Sequence, residues 1–170
     1  NLTAYYNPGL NFDVETAPII TLYNEYFGGG MNGIVFQEIR EARGLAYSAR
    51  ANYSIPGDLD HPSLFTFSIG TQNDKLIDAL KAFDEIINEM PVSEHAFNIA
   101  KESLISNLRT ARTVRSRVLT SYLNAQKRGL DYDLNKVIYE KVPALTLDDV
   151  VKFQQEYVKG KSYSIGIVGR

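Results

Sequence analysis

Two kinds of hydrophobic pattern divide this chain, and they occupy separate stretches of it. Alternation of apolar and polar residues predicts four strands, at about residues 2–6, 45–53, 63–72 and 162–168. In the second strand the alternation puts Leu45, Tyr47, Ala49, Ala51 and Tyr53 on one face. The turn signal at residues 55–58 separates the second strand from the third, so these two are predicted to form an antiparallel pair.

Apolar residues spaced by three or four predict helices at about 16–27, 31–42, 76–90, 93–111, 114–128, 134–140 and 146–157. Pro18 suits a first helical turn, and Gly44 and Gly129 suit helix ends. Ser93 and Thr146 are placed to cap the helices that follow them. Helices and strands are segregated along the chain, which predicts an α+β domain: a mostly antiparallel sheet with helices packed on one face.

Composition narrows the class of protein. The chain has 170 residues, 44% hydrophobic and 22% charged, with a net charge of −2 and no cysteine. These values predict a soluble globular domain without disulfides and give no sign of a nucleic-acid partner. No apolar run approaches the ~20 residues of a membrane span. The compartment, cytoplasmic or periplasmic, is left open.

Gly28, Gly30 and Gly33 spell the phosphate-binding pattern G-x-G-x-x-G. In dinucleotide-binding proteins that pattern follows a strand and opens a helix. Here it follows a predicted helix, and no alternating strand-helix units come after it. We therefore interpret the glycines as a tight turn between two helices, at positions where the backbone needs positive φ.

Metal binding and nucleophilic catalysis find little support. The two histidines are His61, in a predicted loop, and His95, at a predicted helix start. Residues 91–95 read Pro-Val-Ser-Glu-His, which is an inverted zinc motif with proline in place of its first histidine, and proline cannot bind zinc. We expect no metal site and no cofactor in this chain. The cations Arg109, Arg112, Arg115 and Arg117 are interpreted as a solvated helix face.

Residues 36–48 carry the most informative motif, Phe-Gln-Glu-Ile-Arg-Glu-Ala-Arg-Gly-Leu-Ala-Tyr-Ser. It is a charged helix end, a glycine stop and the start of a strand, with Arg40 and Tyr47 seven residues apart. A guanidinium and a phenol brought together could bind carbonyl oxygens of an extended peptide. Spacing alone favours the plainer interpretation, a packed helix-to-strand junction.

The motif resembles the junction of the pitrilysin/insulinase family of zinc metallopeptidases, which includes the mitochondrial processing peptidases. Family members with this junction in the half that lacks zinc use an Arg and a Tyr at the spacing of Arg40 and Tyr47. The resemblance implies a half-domain without zinc, inactive alone, whose partners are a zinc-bearing peptidase domain or subunit and a peptide substrate. It also implies that Tyr47 donates to the oxyanion, that Arg40 holds a substrate carbonyl and that a sheet edge pairs with the substrate.

Two alternatives stay open. One is a structural homologue without peptidase activity, as in the core subunits of respiratory complexes, or an interaction domain with the same fold. The other is an unrelated α+β binding domain. Residues 1–170 are expected to form one domain that is truncated at its N-terminus. An open sheet edge and self-association would follow from that.

Overall fold

The computed structural model describes residues 1–111 and 114–169 and contains one four-stranded antiparallel sheet. Its strands are β1 (Leu2–Tyr6), β2 (Ser48–Tyr53), β3 (Phe65–Gly70) and β4 (Ser164–Ile167), in the order β2-β3-β1-β4. Leu2 lies opposite both Ile69 and Ile167, and Ala51 lies opposite Phe67. All four strands fall where alternation predicts them, although β2 begins three residues later.

The described helices also follow the predicted positions. They are α1 (Ala17–Tyr23), α2 (Ile34–Phe36), α3 (Leu76–Asn88), α4 (Glu94–Thr110), α5 (Arg115–Lys127), α6 (Leu134–Lys141) and α7 (Leu147–Tyr157). Wider π-helical turns continue α1 through Asn24–Gly28 and α2 through Gln37–Ala42. Short 3-10 turns, Asn73–Lys75 and Val142–Ala144, precede α3 and follow α6. None of these described helices has the length and apolar character required to cross a bilayer.

The core lies on one face of the sheet, as the α+β prediction requires. Eight hydrophobic strand residues are buried under the helices: Leu2, Ala4, Ala49, Ala51, Tyr53, Phe65, Phe67 and Ile69. Aromatic side chains from the helices complete the core: the ring centres of Phe67 and Phe83 are 4.6 Å apart, and those of Tyr53 and Phe153 are 5.0 Å apart. The opposite face, called the open face below, carries exposed side chains, among them Thr3, Tyr5, Arg50, Asn52 and Ser68.

The outer edge of β2 is closed by the π-helical turn that follows α1. Because the Ser54 amide donates to the Leu64 carbonyl, the backbone groups of Tyr53 point away from β3. The Asn24 side chain meets both of them, accepting from the Tyr53 amide at 2.7 Å and donating to its carbonyl at 2.8 Å. Farther along, a Cβ on Gly28 would lie 1.9 Å from the Ala51 carbonyl oxygen. This edge is therefore not free to pair with an extended peptide.

The glycines of the phosphate-like pattern have two structural roles. Only Gly30 has positive φ, at +59°. Gly28 and Gly33 instead allow close backbone approach, to Ala51 and to Gly29 respectively. The prediction of a helix-to-helix turn is right. Positive φ, however, is needed only at Gly30, whereas at Gly28 and Gly33 the neighbouring backbone leaves no room for a side chain.

The outer edge of β4 is open. The Val168 amide donates to the Asn1 carbonyl, so by alternation the backbone groups of Ile165 and Ile167 point away from β1. No other described strand lies beyond β4. Ile165 and Ile167 share the core face with Ala4 and Leu2, yet they are 46% and 51% exposed. An apolar edge strand of this kind is a site for pairing with another strand.

Candidate functional site

The junction between α2 and β2 is a short loop, residues 43–47, that hydrogen bonds hold from several sides. Gly44 has φ +56°, and its amide donates to the Arg40 carbonyl at 3.1 Å, which ends the π-helical turn. The Leu45 amide donates to the Ile39 carbonyl at 3.0 Å. Side chains that precede α3 hold the other side: Lys75 Nζ donates to the Gly44 carbonyl at 2.9 Å and Thr71 Oγ1 to the Leu45 carbonyl at 2.5 Å.

Arg43 ties the same loop to α3. Its guanidinium donates two hydrogen bonds to the Glu85 carboxylate, both at 2.7 Å, in a bidentate pair. The hydrogen bond from Arg43 lowers the pKa of Glu85, so this carboxyl is ionised over a wider pH range than a free one. Sequence reasoning did not single out Arg43 as an anchor, because its partner is 42 residues away in the chain.

Tyr47 lies across the end of β3 on the open face. Its amide donates to the Gly70 carbonyl at 2.9 Å, and a Cβ on Gly70 would lie 2.5 Å from ring atoms of Tyr47. The Gly70 Cβ direction is toward the open face, since Phe67 and Ile69 face the core. The prediction that Tyr47 shares a face with Ala49, Ala51 and Tyr53 is therefore wrong. Regular pairing begins at Ser48, so the ring of Tyr47 is free to cross to the other face.

The Tyr47 side chain is 63% exposed and its hydroxyl donates to Asn1 Oδ1 at 2.8 Å. It borders an open cavity of about 380 Å³ lined by Asn1, Tyr47, Thr71, Asn73, Val168 and Gly169. The hydroxyl thus lies at the rim of a concave polar surface, hydrogen-bonded to Asn1 and accessible to solvent. A phenol has one proton to donate, so donation to a bound ligand would replace the hydrogen bond to Asn1.

Arg40 occupies a different position. Its guanidinium lies 4.8 Å from the centre of the Phe36 ring, and its Nε is 3.6 Å from Glu41 Oε1. The side chain is 46% exposed. Within the described part of the chain, no hydrogen bond or ion pair joins Arg40 to Tyr47. Arg40 lies in the turn before the loop and Tyr47 at the end of the loop, and both side chains reach solvent. That they converge on one ligand is a hypothesis.

The described residues do not form a metal site. Between residues 1 and 111 and between 114 and 169, no three His, Cys, Asp or Glu side chains are grouped to hold an ion. His61 Nδ1 is 2.7 Å from Asp58 Oδ1, and this hydrogen bond raises the pKa of His61 and lowers that of Asp58. His95 lies in the first turn of α4, as predicted. Arg109, Arg115 and Arg117 are exposed, while Arg112 lies outside the described residues.

Comparison with known sequences places the chain in context. The profile of the family described as the peptidase M16 inactive domain matches residues 2–104. An uncharacterized zinc protease of Mycobacterium leprae is 30% identical over 149 residues, which are 81% of this chain and 32% of that protein. Another, from Streptomyces coelicolor, is 27% identical over 172 residues, 95% of this chain and 35% of that protein. The chain thus spans about a third of the length of these curated relatives.

Solved structures show the same fold. The peptidase M16 inactive domain from Pseudomonas fluorescens superposes with a TM-score of 0.74 at 17% identity, covering 96% of this chain and 39% of that one. The inactive peptidase domain of a Bordetella parapertussis protein gives 0.74 at 17% identity, covering 97% of this chain and 89% of that one. Identities this low support the architecture alone.

Proposed function

This chain belongs to the peptidase M16 family, through the family's inactive domain, and we propose that it is the substrate-gripping part of a zinc metalloendopeptidase. In this proposal Tyr47 donates a hydrogen bond to the oxyanion that forms as a peptide bond is attacked. Arg40 binds a carbonyl of the same extended substrate and orients it. The chain is not expected to hydrolyse peptides alone.

One observation carries the proposal: the loop at residues 43–47, which hydrogen bonds hold in place, presents the Tyr47 hydroxyl on the open face. The loop is fixed to α3 and β3 by backbone and side-chain hydrogen bonds, while the hydroxyl bonds, among the described residues, only to the exposed Asn1 side chain. The fixed loop holds the phenol in position, so in this proposal the hydroxyl only has to exchange Asn1 for the developing oxyanion as its acceptor. A packed structural tyrosine would instead be buried, as Tyr53 is.

No zinc site is expected within the described residues. The described residues supply no group of ligands for it, and His61 is engaged by Asp58. The two curated relatives are both named zinc proteases and are about three times as long as the matched region. We therefore place the zinc of the whole protein in a companion domain or subunit, which would face the open face of this sheet.

Gly70→Ala tests the position of Tyr47 without altering Tyr47 itself. The new Cβ would overlap the ring at 2.5 Å and also approach Ser48 Oγ at 2.7 Å. Because Tyr47 is an exposed side chain, its ring should swing away while the fold persists. We expect kcat of the full-length protein to fall by about tenfold or more, since a 1 Å misplacement can already cost that much, with little change in Tm.

Gly57→Ala is the matched control, because a Cβ at Gly57 meets nothing within 4 Å and its φ is not in the left-handed region. This variant should keep full activity. If Gly70→Ala keeps full activity as well, while a crystal structure shows the Tyr47 ring displaced, the oxyanion role of Tyr47 is wrong.

Strand β4 lies at the edge of the sheet, with no other described strand beyond it. We propose that a strand from outside these 170 residues pairs with β4 in the full-length protein, which makes the domain incomplete as it stands here. The outward backbone groups of Ile165 and Ile167 have no partner strand among the described residues, and their side chains are half-exposed, which supports this. Without that strand, two copies of the chain should associate through β4.

Sedimentation of the 170-residue chain over a concentration series tests the β4 edge. We expect association that increases with concentration and that Ile165→Lys weakens, because a charge on an edge strand opposes pairing. Val92→Lys is the control, since Val92 is 60% exposed but lies between α3 and α4. A chain that stays monomeric throughout would contradict the proposal.

A further inference from the structure

Helix α5 has little packing of its own. It has 13 residues, and the ten from Arg115 to Asn124 are all exposed, whereas Ala125 is its one buried residue. An isolated helix shorter than ~12–15 residues is marginal in water, so most helices of this length depend on tertiary packing. The N-terminal three turns of α5 lack that packing within the described part of the chain.

The C-terminal end of α5 attaches it to the domain. Arg128, just beyond the helix, donates from Nε to the Pro56 carbonyl at 2.8 Å, and its guanidinium is 5.6 Å from the Phe12 ring centre. A groove of about 380 Å³ separates α5 from α6, with Ser121, Asn124 and Ala125 on the α5 side. The residues that face the domain are therefore mostly polar.

The apolar residues of α5 point elsewhere. Val118, Leu119, Tyr122 and Leu123 are between 46% and 67% exposed and form one patch. Leu119 and Leu123 belong to a row with four-residue spacing, Arg115-Leu119-Leu123-Lys127, called the α5 row below. Rows of this spacing are the ridges that pack into grooves of a neighbouring helix.

The charge around the α5 row has one sign. Between Glu102 and Asp131 the sequence contains six cations, Arg109, Arg112, Arg115, Arg117, Lys127 and Arg128, and no Asp or Glu. Arg115 and Lys127 stand at the two ends of the row, about 18 Å apart for 12 residues at ~1.5 Å each. Neither forms an ion pair with another described residue.

We propose that the α5 row docks an amphipathic helix from another part of the same polypeptide, with an apolar centre and a carboxylate toward each end. The inference rests on the proposed function in one respect, that the chain is one domain of a longer protease. The matched relatives have the necessary length, because this chain spans 32% and 35% of them. Two leucines would fill the partner's groove, and its carboxylates would pair with Arg115 and Lys127.

Two other occupants of the α5 row, a second copy of the chain and an anionic membrane, fit less well. A second copy of α5 would bring cations against cations, which disfavours a symmetric pair. An anionic membrane would suit the charge, but surface-binding helices need a continuous apolar face opposite a charged one. In α5 the apolar patch consists of only four residues, and the polar residues Thr120, Ser121 and Asn124 adjoin it. A protein partner of complementary charge fits best.

Cysteine accessibility in the full-length protein tests the proposal. This chain has no cysteine, so Leu119→Cys is unique within it once any cysteines elsewhere are replaced by serine. The rate of maleimide labelling is compared with the rate in denaturing urea. We expect protection of Cys at 119 by about tenfold or more, because labelling then needs local opening. Val92→Cys, at a site of similar exposure, gauges the general effect of folding.

Charge reversals identify the partner's chemistry. Arg115→Glu with Lys127→Glu should abolish the protection of Cys at 119, and added salt should weaken it. Arg117→Glu, on the same helix but outside the row, should leave it intact. Circular dichroism confirms that each variant is folded.

The remaining outcomes each overturn the proposal. Labelling at 119 as fast as in a freely exposed site would mean that nothing covers α5. Protection that appears only at high protein concentration would indicate a second copy, and protection that needs phosphatidylglycerol vesicles would indicate a membrane. Peptide cleavage plays no part in this measurement. If the docking proposal fails, the proposed role of Tyr47 is therefore unaffected.

Discussion

Tyr47→Phe in the full-length protein is expected to lower kcat by about 100-fold, the usual cost of losing one oxyanion donor. The substitution removes one hydroxyl and keeps the ring that rests over Gly70. KM should change little, because the lost hydrogen bond would form in the transition state and not in the substrate complex. Kinetics on a fluorogenic peptide that the wild type cleaves would measure both constants.

Stability should distinguish a chemical role from a structural one. Within the part of the chain that the structure describes, the hydroxyl of Tyr47 bonds only to the exposed Asn1 side chain, so Tm should be almost unchanged. Tyr132→Phe is the matched control, because Tyr132 is 40% exposed in the turn between α5 and α6, outside the candidate site. Unchanged kcat for Tyr47→Phe on every substrate tried would remove Tyr47 from the chemistry.

Gly28→Ala is expected to lower the free energy of unfolding by about 3 kcal/mol, at the upper end of ordinary overpacking. The new methyl would lie 1.9 Å from the Ala51 carbonyl oxygen and 2.6 Å from its carbon. Those are backbone atoms of a buried strand, so no side-chain rotation can relieve the overlap. Moving the turn away from β2 would also pull Asn24 from the backbone of Tyr53.

Urea denaturation of the domain would measure the Gly28→Ala effect, which is a large share of the 5–15 kcal/mol that holds a domain folded. Gly57→Ala again serves as control and should change stability by less than about 1 kcal/mol. If Gly28→Ala is as stable as the control, the close contact between the π-helical turn and β2 is not what closes that edge.

The family assignment and the fold were accessible from the sequence. Alternation located four strands, three-to-four spacing located seven helices, and their segregation predicted the α+β sheet with one covered face, all confirmed. The motif at residues 36–48 identified the family, and the match over residues 2–104 excludes the alternative of an unrelated domain. The roles of Arg40 and Tyr47 stay predictions, because no comparison reaches individual residues.

The sequence alone determined which residues alternate, where helices stop and which junction the chain contains, because these depend on neighbours a few positions away. The tertiary structure alone decided that Tyr47 crosses to the open face, that Gly28 must lack a side chain and that Arg43 pairs with Glu85. It also decided that β2 is covered while β4 and α5 are exposed. Burial and edge pairing arise from contacts between distant segments, and a local pattern cannot specify which segments meet.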